Sequence, residues 1–130
     1  GDEINIPEAG KNYGWPVITY GIDYAGGPIG EGITAQDGME QPIYYWDPVI
    51  APADMIFYTG DLFPWTGDLL IGALGTGEIV RLDLDGEKVV GEERVLQGEG
   101  RVRDIIQAPD GALYVVIDDN AKVLRVTPKS

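Results

Sequence analysis

The sequence predicts an all-β protein built from repeated small sheets, and its composition and an internal repeat support this prediction. The 130 residues include 19 glycines and 9 prolines, a composition rich in turns. Two segments align without a gap at an offset of 44 residues, 67–73 with 111–117 and 78–82 with 122–126. Each segment contains two short, largely β-branched runs joined by a small polar turn. Such a repeat is typical of β-propeller blades, and a β-sandwich with two similar hairpins is the alternative.

Residues 49–100 are predicted to form one nearly complete blade of four antiparallel strands. Asp85-Gly86 marks the tight turn before the fourth strand, because a turn of this kind needs a positive φ. The predicted strands are Met55–Tyr58, Asp68–Ala73, Glu78–Asp83 and Lys88–Leu96.

Residues 101–130 are predicted to form a partial last blade in which the fourth strand is missing. Its three strands are Val102–Gln107, Leu113–Ile117 and Lys122–Val126, with a turn at Pro109-Asp110-Gly111. An open blade edge offers unpaired backbone groups, so we expect self-association or pairing with missing blades.

Residues 1–48 are predicted to be irregular, because they are rich in glycine, proline and aromatic residues. Within them, residues 24–41 read as one long loop or loose hairpin. Loops of that length in a small domain are usually functional or poorly ordered.

The net charge of the chain limits the classes of partner that it can bind. Asp and Glu number 22 against 9 Lys and Arg, a formal net charge of −13, which disfavours nucleic acid and suits hard divalent cations. Without cysteine the chain has no disulfide and no thiolate metal site. No apolar run approaches the roughly 18 residues of a membrane span, so we expect no membrane insertion. No charged-then-apolar leader is present, so we expect any secretion signal of a parent gene to lie outside this segment.

The segment Arg101-Val102-Arg103-Asp104 gives the strongest indication of a binding site. Side chains at i and i+2 of a strand project to the same face, so both guanidinium groups are expected to point one way. Such a pair binds carboxylates and is stabilised by an anion. The alternative is that these are two surface arginines neutralised by the many acids of the chain.

Four ordered motifs resemble the soluble quinoprotein glucose, aldose and sorbosone dehydrogenases, which depend on pyrroloquinoline quinone (PQQ). The motifs are Gly1–Asn5, Asn12–Pro16, Trp46–Pro52 and Arg101–Gly111. The resemblance implies a six-bladed β-propeller, which needs about 300 residues at this blade length. The chain is therefore expected to hold about two blades and the irregular N-terminal segment.

The resemblance also implies an activity, cofactors and a location. A parent enzyme would oxidise the C1 hydroxyl of an aldose sugar with PQQ and calcium, in the periplasm or as a secreted protein. In the family, the catalytic base is a histidine, and this chain contains no histidine. We therefore predict no catalytic residue in this chain, and expect it to be inactive by itself.

For the cofactor, the resemblance implies that Arg101 and Arg103 contact PQQ. Gly75 occupies the position where a lysine is common, and Val49 the position where a hydroxyl residue is expected. Neither of these two residues supplies a polar side chain.

The resemblance assigns the remaining site residues to the sugar and to calcium. Aromatic residues border the sugar cleft, although they could equally be core or blade-interface residues. Glu3 and Asp23 carry hard oxygens and Tyr13 can offer its carbonyl, whereas turn or surface roles are the alternative. The expected substrate residues are Tyr44, Trp46 and Asp47, and the expected metal ligands are Glu3, Tyr13 and Asp23.

Two other function classes remain open. The first is a non-catalytic, propeller-derived module that binds a sugar or a protein or assembles with itself. The second is a calcium-dependent hydrolase or lyase propeller, which would gather ligands from several blades.

Overall fold

The computed structural model describes residues 1–129 and divides the chain into two compact units, Gly1–Val49 and Ile50–Ser130. Residue 130, the end of the predicted last-blade segment, lies outside the described residues. Strands are the only regular elements of residues 1–129, and no helix among them could cross a membrane.

The first unit contains a short two-stranded sheet that the sequence did not predict. Strand β1 (Asp2–Ile4) pairs antiparallel with β2 (Tyr44–Trp46), with Glu3 opposite Tyr45. Three-residue strands this far apart in the chain leave no alternating pattern to detect. Between them, the described backbone forms turns and two isolated bridges, Ile18 with Ile33 and Ile22 with Pro28. The loop predicted for residues 24–41 is therefore present.

The second unit begins with a four-stranded antiparallel sheet in the order of the chain, β3-β4-β5-β6. Gly86 has a φ of 62°, as the predicted tight turn between β5 and β6 requires. The strands are β3 (Pro52–Phe57), β4 (Leu69–Ala73), β5 (Glu78–Asp85) and β6 (Lys88–Val95).

A three-stranded antiparallel sheet follows, again in the order of the chain. Its strands have the bounds that the sequence predicts: β7 (Val102–Gln107), β8 (Leu113–Ile117) and β9 (Lys122–Val126). No described residue adds a fourth strand beside β9.

The first strands of the two sheets share an irregularity that positions the site described below. The register of β3 on β4 shifts between Pro52 and Asp54, and that of β7 on β8 shifts between Val102 and Asp104. Each shift leaves one extra residue in the first strand, which is a β-bulge. The repeat between the sheets therefore includes the same bulge at the same place.

One hydrophobic core joins the two sheets of the second unit. It contains Leu70 and Ile79 from the first sheet, and Val102, Ile105, Leu113, Val115 and Ile117 from the second, with Tyr58 and Phe63 from the connection after β3. Every strand of the second sheet has residues in this core or packed against it. The core therefore positions the start of β7, at Val102, and the end of β8, at Ile117.

Candidate functional site

The arginine pair lies at the bulge of β7. Arg103 is the extra residue between Val102 and Asp104, and Arg101 immediately precedes the strand. Val102 is fully buried between them, while both arginines are exposed. Bulges commonly redirect side chains near binding sites, and Arg103 is the residue at this bulge.

A carboxylate of the chain itself pairs with one of the two arginines. Arg103 Nη2 donates a hydrogen bond to Asp118 Oδ2 at 2.9 Å. The pKa of Asp118 lies below its ordinary value because Arg103 donates this hydrogen bond, and the positive charges of Arg103 and Arg101 add to the effect. Arg103 therefore binds this carboxylate directly, and Arg101 adds a positive charge that favours its ionised form. No local pattern in the sequence marks Asp118 for this role.

The residues at the expected lysine and hydroxyl positions offer no polar side chain. Gly75 donates its backbone N–H to Ile50 O at 2.9 Å. A Cβ added at Gly75 would lie 2.9 Å from the same oxygen, so a side chain there requires the backbone to shift. Val49 is exposed and apolar. Of the four residues predicted to meet the cofactor, only the two arginines have chemistry that fits its carboxylates.

The predicted sugar-cleft residues have different environments within the first unit. Trp46 is buried and makes an edge contact with Tyr44, with ring centroids 5.2 Å apart, whereas Asp47 is exposed. Next to them, Tyr45 stacks on Tyr20 with centroids 3.7 Å apart. This half-exposed stacked pair, absent from the prediction, offers a flat aromatic surface.

The three predicted calcium ligands are each hydrogen-bonded within their own segment. Glu3 Oε2 accepts from Asn5 Nδ2 at 3.2 Å, and Asp23 Oδ1 accepts from Ala25 N at 2.9 Å. The Tyr13 hydroxyl donates to Ile6 O at 2.7 Å. The side chain of Tyr13 is thus engaged, and a metal contact would have to come from its carbonyl.

One atom beside Glu3 is relevant to a cation. Asn5 Oδ1 is buried and has no hydrogen-bond partner within the described residues. Buried polar atoms are nearly always paired, and an amide oxygen is a ligand that calcium accepts. Residues 1–129 hold no cluster of three or more acidic, histidine or cysteine side chains placed for a metal. The Glu3 carboxylate and the Asn5 amide are therefore two oxygen donors that lie together at β1.

A family model described as glucose/sorbosone dehydrogenase matches residues 1–125. The chain belongs to this family.

Curated and solved members of the glucose/sorbosone dehydrogenase family extend the match along the whole chain. The aldose sugar dehydrogenase YliI of Escherichia coli K12 is 45% identical over 100% of this chain and 36% of its own length. A crystal structure of a glucose dehydrogenase superposes with a TM-score of 0.92 at 46% identity, over 99% of this chain and 38% of that one. The apo crystal structure of the soluble E. coli aldose sugar dehydrogenase superposes with a TM-score of 0.90 at 44% sequence identity. That match covers 99% of this chain and 38% of the other chain.

Two conclusions follow for the fold. The three sheets are a partial β-propeller of the kind found in glucose dehydrogenases, so the sandwich alternative is wrong. The chain spans little more than a third of the length of these relatives.

Proposed function

We propose that this chain is the C-terminal part of a quinoprotein aldose sugar dehydrogenase, and that it contributes the arginine contacts of the PQQ site. The observation that carries the proposal is the hydrogen bond from Arg103, at the β7 bulge, to a carboxylate whose pKa the positive charge of Arg101 also lowers. A site that already binds a carboxylate has the chemistry that a tricarboxylate cofactor needs.

PQQ, when bound, would supply the two-electron oxidising capacity for the C1 hydroxyl of the sugar. The residues of this chain bind and orient. Arg103 presents a planar fork of donors, which matches the planar carboxylates of the cofactor, and Arg101 adds a second positive charge. Gly75 and Val49 would border the cofactor without hydrogen-bonding it through a side chain.

The substrate in this proposal is an aldose, as the name of the E. coli relative suggests for that protein. Aromatic rings suit the apolar face of a sugar. Tyr44 and the stacked pair Tyr20–Tyr45 would form such a surface, and the exposed Asp47 would accept hydrogen bonds from sugar hydroxyls. Buried Trp46 would support Tyr44 from beneath.

Calcium belongs to the proposal as a structural ion near β1. Glu3 would supply a carboxylate oxygen, Tyr13 its carbonyl and Asp23 a further carboxylate. Asn5 Oδ1 lies beside Glu3 and has no hydrogen-bond partner among residues 1–129, which supports a cation at this end of the first unit. A periplasmic or secreted location is also part of the proposal, because the resemblance to the family implies it.

The test is a calorimetric titration of the chain with PQQ at fixed ionic strength. We expect saturable binding to the unaltered chain and a loss of affinity of at least about ten-fold in Arg103→Ala, because the lost bonds are charge-assisted. Arg125→Ala is the matched control, since Arg125 is a similarly exposed arginine paired with Asp110.

Equal binding by both variants would contradict the arginine contacts, as would no binding at all. In the same samples, glucose, calcium and a dye acceptor should give no reduction above free PQQ. The expectation follows from the lack of a histidine to take the hydroxyl proton.

A second candidate function is a non-catalytic module that binds sugar or assembles with itself. The lack of space at Gly75 and the apolar Val49 favour it, because both are tolerable where no quinone binds. Sugar binding without PQQ binding in the titration would support this candidate instead.

A further inference from the structure

The arginine pair and its carboxylate are held together by the backbone as well as by side chains. Asp118 follows β8, and its N–H donates to Arg101 O at 2.8 Å. In return, Arg101 N donates to Asp119 Oδ1 at 3.0 Å. The turn after β8 is therefore tied to the residue that precedes β7, which holds Asp118 at the end of the sheet where Arg103 can reach its carboxylate.

The Asp118 carboxylate is in the charged form at neutral pH. The hydrogen bond from Arg103 and the charges of Arg103 and Arg101 hold the pKa of Asp118 below its ordinary value. An outside carboxylate that approaches Arg103 thus meets a site that is already partly neutralised, in a chain whose net charge is −13.

We propose that Asp118 is an internal competitor for the arginine pair and that it sets which anions the site accepts. This inference rests on the proposed role of Arg101 and Arg103 in binding carboxylates. A ligand with one carboxylate gains one contact and must displace Asp118 to do so. A ligand with two or three carboxylates also engages Arg101, and the linked second contact offsets that displacement.

The size of the effect follows from the exposure of the pair. The side chains of Arg103 and Asp118 are both about half exposed, and exposed ion pairs contribute little. Removing the charge of Asp118 should therefore strengthen anion binding by about two- to five-fold. The gain should be larger for a monocarboxylate than for a tricarboxylate, so the preference for several carboxylates should shrink.

The experiment uses citrate and acetate as probes, with the whole chain at fixed ionic strength and pH 7. Binding is followed through the NMR signal of the Arg103 side-chain N–H. The variants are Asp118→Asn, which keeps the size of the side chain, and Asp118→Ser, which also removes its reach. Asp110→Asn is the matched control, because Asp110 is an exposed carboxylate on Arg125 and the substitution makes the same charge change.

We expect both Asp118 variants to bind citrate more tightly and to prefer it less strongly over acetate, with Asp110→Asn unchanged. Unchanged or weaker citrate binding in both Asp118 variants would overturn the inference, as would an equal gain in Asp110→Asn. No citrate binding by any form would overturn it too.

A parallel PQQ titration of the same variants separates this inference from the proposed function. A gain for citrate together with no PQQ binding would leave Asp118 as an anion competitor and remove the cofactor role. PQQ binding that weakens in Arg103→Ala but is unchanged in both Asp118 variants would support the cofactor role and remove the competitor role of Asp118.

Discussion

Two aspartates at equivalent bulges face each other where the two sheets of the second unit meet. Asp54 Oδ2 accepts a hydrogen bond from the backbone N–H of Ile105 at 3.1 Å. The pKa of Asp104 is raised by its hydrogen bond with Asp54, by burial and by the negative charge of Asp54. The protonated form of Asp104 can donate a hydrogen bond to Asp54, which the charged form cannot.

This pair predicts a pH dependence of stability. A raised pKa means that the folded chain holds the Asp104 proton more tightly than the unfolded chain does. The stabilisation from this proton is complete when the pH is below the ordinary pKa of 3.8. It is lost as the pH rises through the raised pKa of Asp104. We therefore expect Asp104→Asn to be more stable than the unaltered chain at pH 7, by roughly 0.5 kcal/mol, the scale of partly exposed charge pairs.

Urea unfolding of the unaltered chain and Asp104→Asn at pH 4 and pH 7 measures this difference. Asp110→Asn is a control of opposite sign, because the N–H of Ala112 and the charge of Arg125 lower the pKa of Asp110. Its charge stabilises at neutral pH and stops doing so as pH falls through the lowered pKa. A stability difference for Asp104→Asn that does not change between the two pH values would contradict the raised pKa of Asp104.

At the scale of elements, the two sheets are connected through one buried tyrosine. Tyr58 follows β3 and is fully buried. Its hydroxyl donates to Gly111 O at 2.6 Å, just before β8, and accepts from Phe63 N at 3.2 Å. The contact positions the turn at the start of β8, the strand whose other end carries Asp118.

Replacing this residue, Tyr58→Phe, should destabilise the chain by about 1–3 kcal/mol, because a buried carbonyl and a buried N–H lose their partner. Chemical unfolding measures the change. Tyr114→Phe removes the same atom from an exposed side chain and should cost less than about 0.5 kcal/mol. Similar costs for the two variants would show that the Tyr58 hydroxyl does not connect the sheets.

At the scale of the whole molecule, the second sheet has one covered face and one open face. Ile105 and Val115 lie in the core, whereas Ile106, Tyr114 and Val123 are exposed on the other side. In the first sheet, the equivalent of Ile106 is Ile56, which packs against the shared core. The repeat therefore shows what covers such a face, namely another sheet of the same kind.

In a solution of the pure chain, the sheet available to cover this face is that of a second copy. We expect the sedimentation coefficient to rise with protein concentration, and Val123→Lys to reduce this rise, because a charge on the face or edge of β9 opposes pairing. Val90→Lys is the control, since Val90 is a similarly exposed valine on β6 of the other sheet. A chain that stays monomeric at all concentrations would contradict the prediction.

Much of the fold could be predicted because it depends on neighbours in the sequence. The three strands of the last sheet have their predicted bounds, and Gly86 has the positive φ that its turn requires. Alternation of side chains and glycine at turns are local properties, so they are visible without a structure. The family could likewise be inferred, because four short motifs kept their order.

Residues that act through distant partners were missed. Asp118 lies 15 residues from Arg103 in the chain, and Asp54 lies 51 residues from Ile105. The bulge at Arg103 also interrupts the i, i+2 rule from which the arginine pair was predicted. The arginine pair predicted an anion at that place, but no local pattern marked Asp118 as the carboxylate that Arg103 binds.

The sequence by itself determined the strands, the repeat, the negative charge and the two arginines, since each is a property of composition or local spacing. The tertiary structure alone decided which carboxylates meet: Asp118 with the arginines, and Asp54 with Asp104. The reason is physical. Pairing across a sheet and packing between sheets bring together residues whose separation in the chain carries no pattern, and charge interactions depend on distance in space.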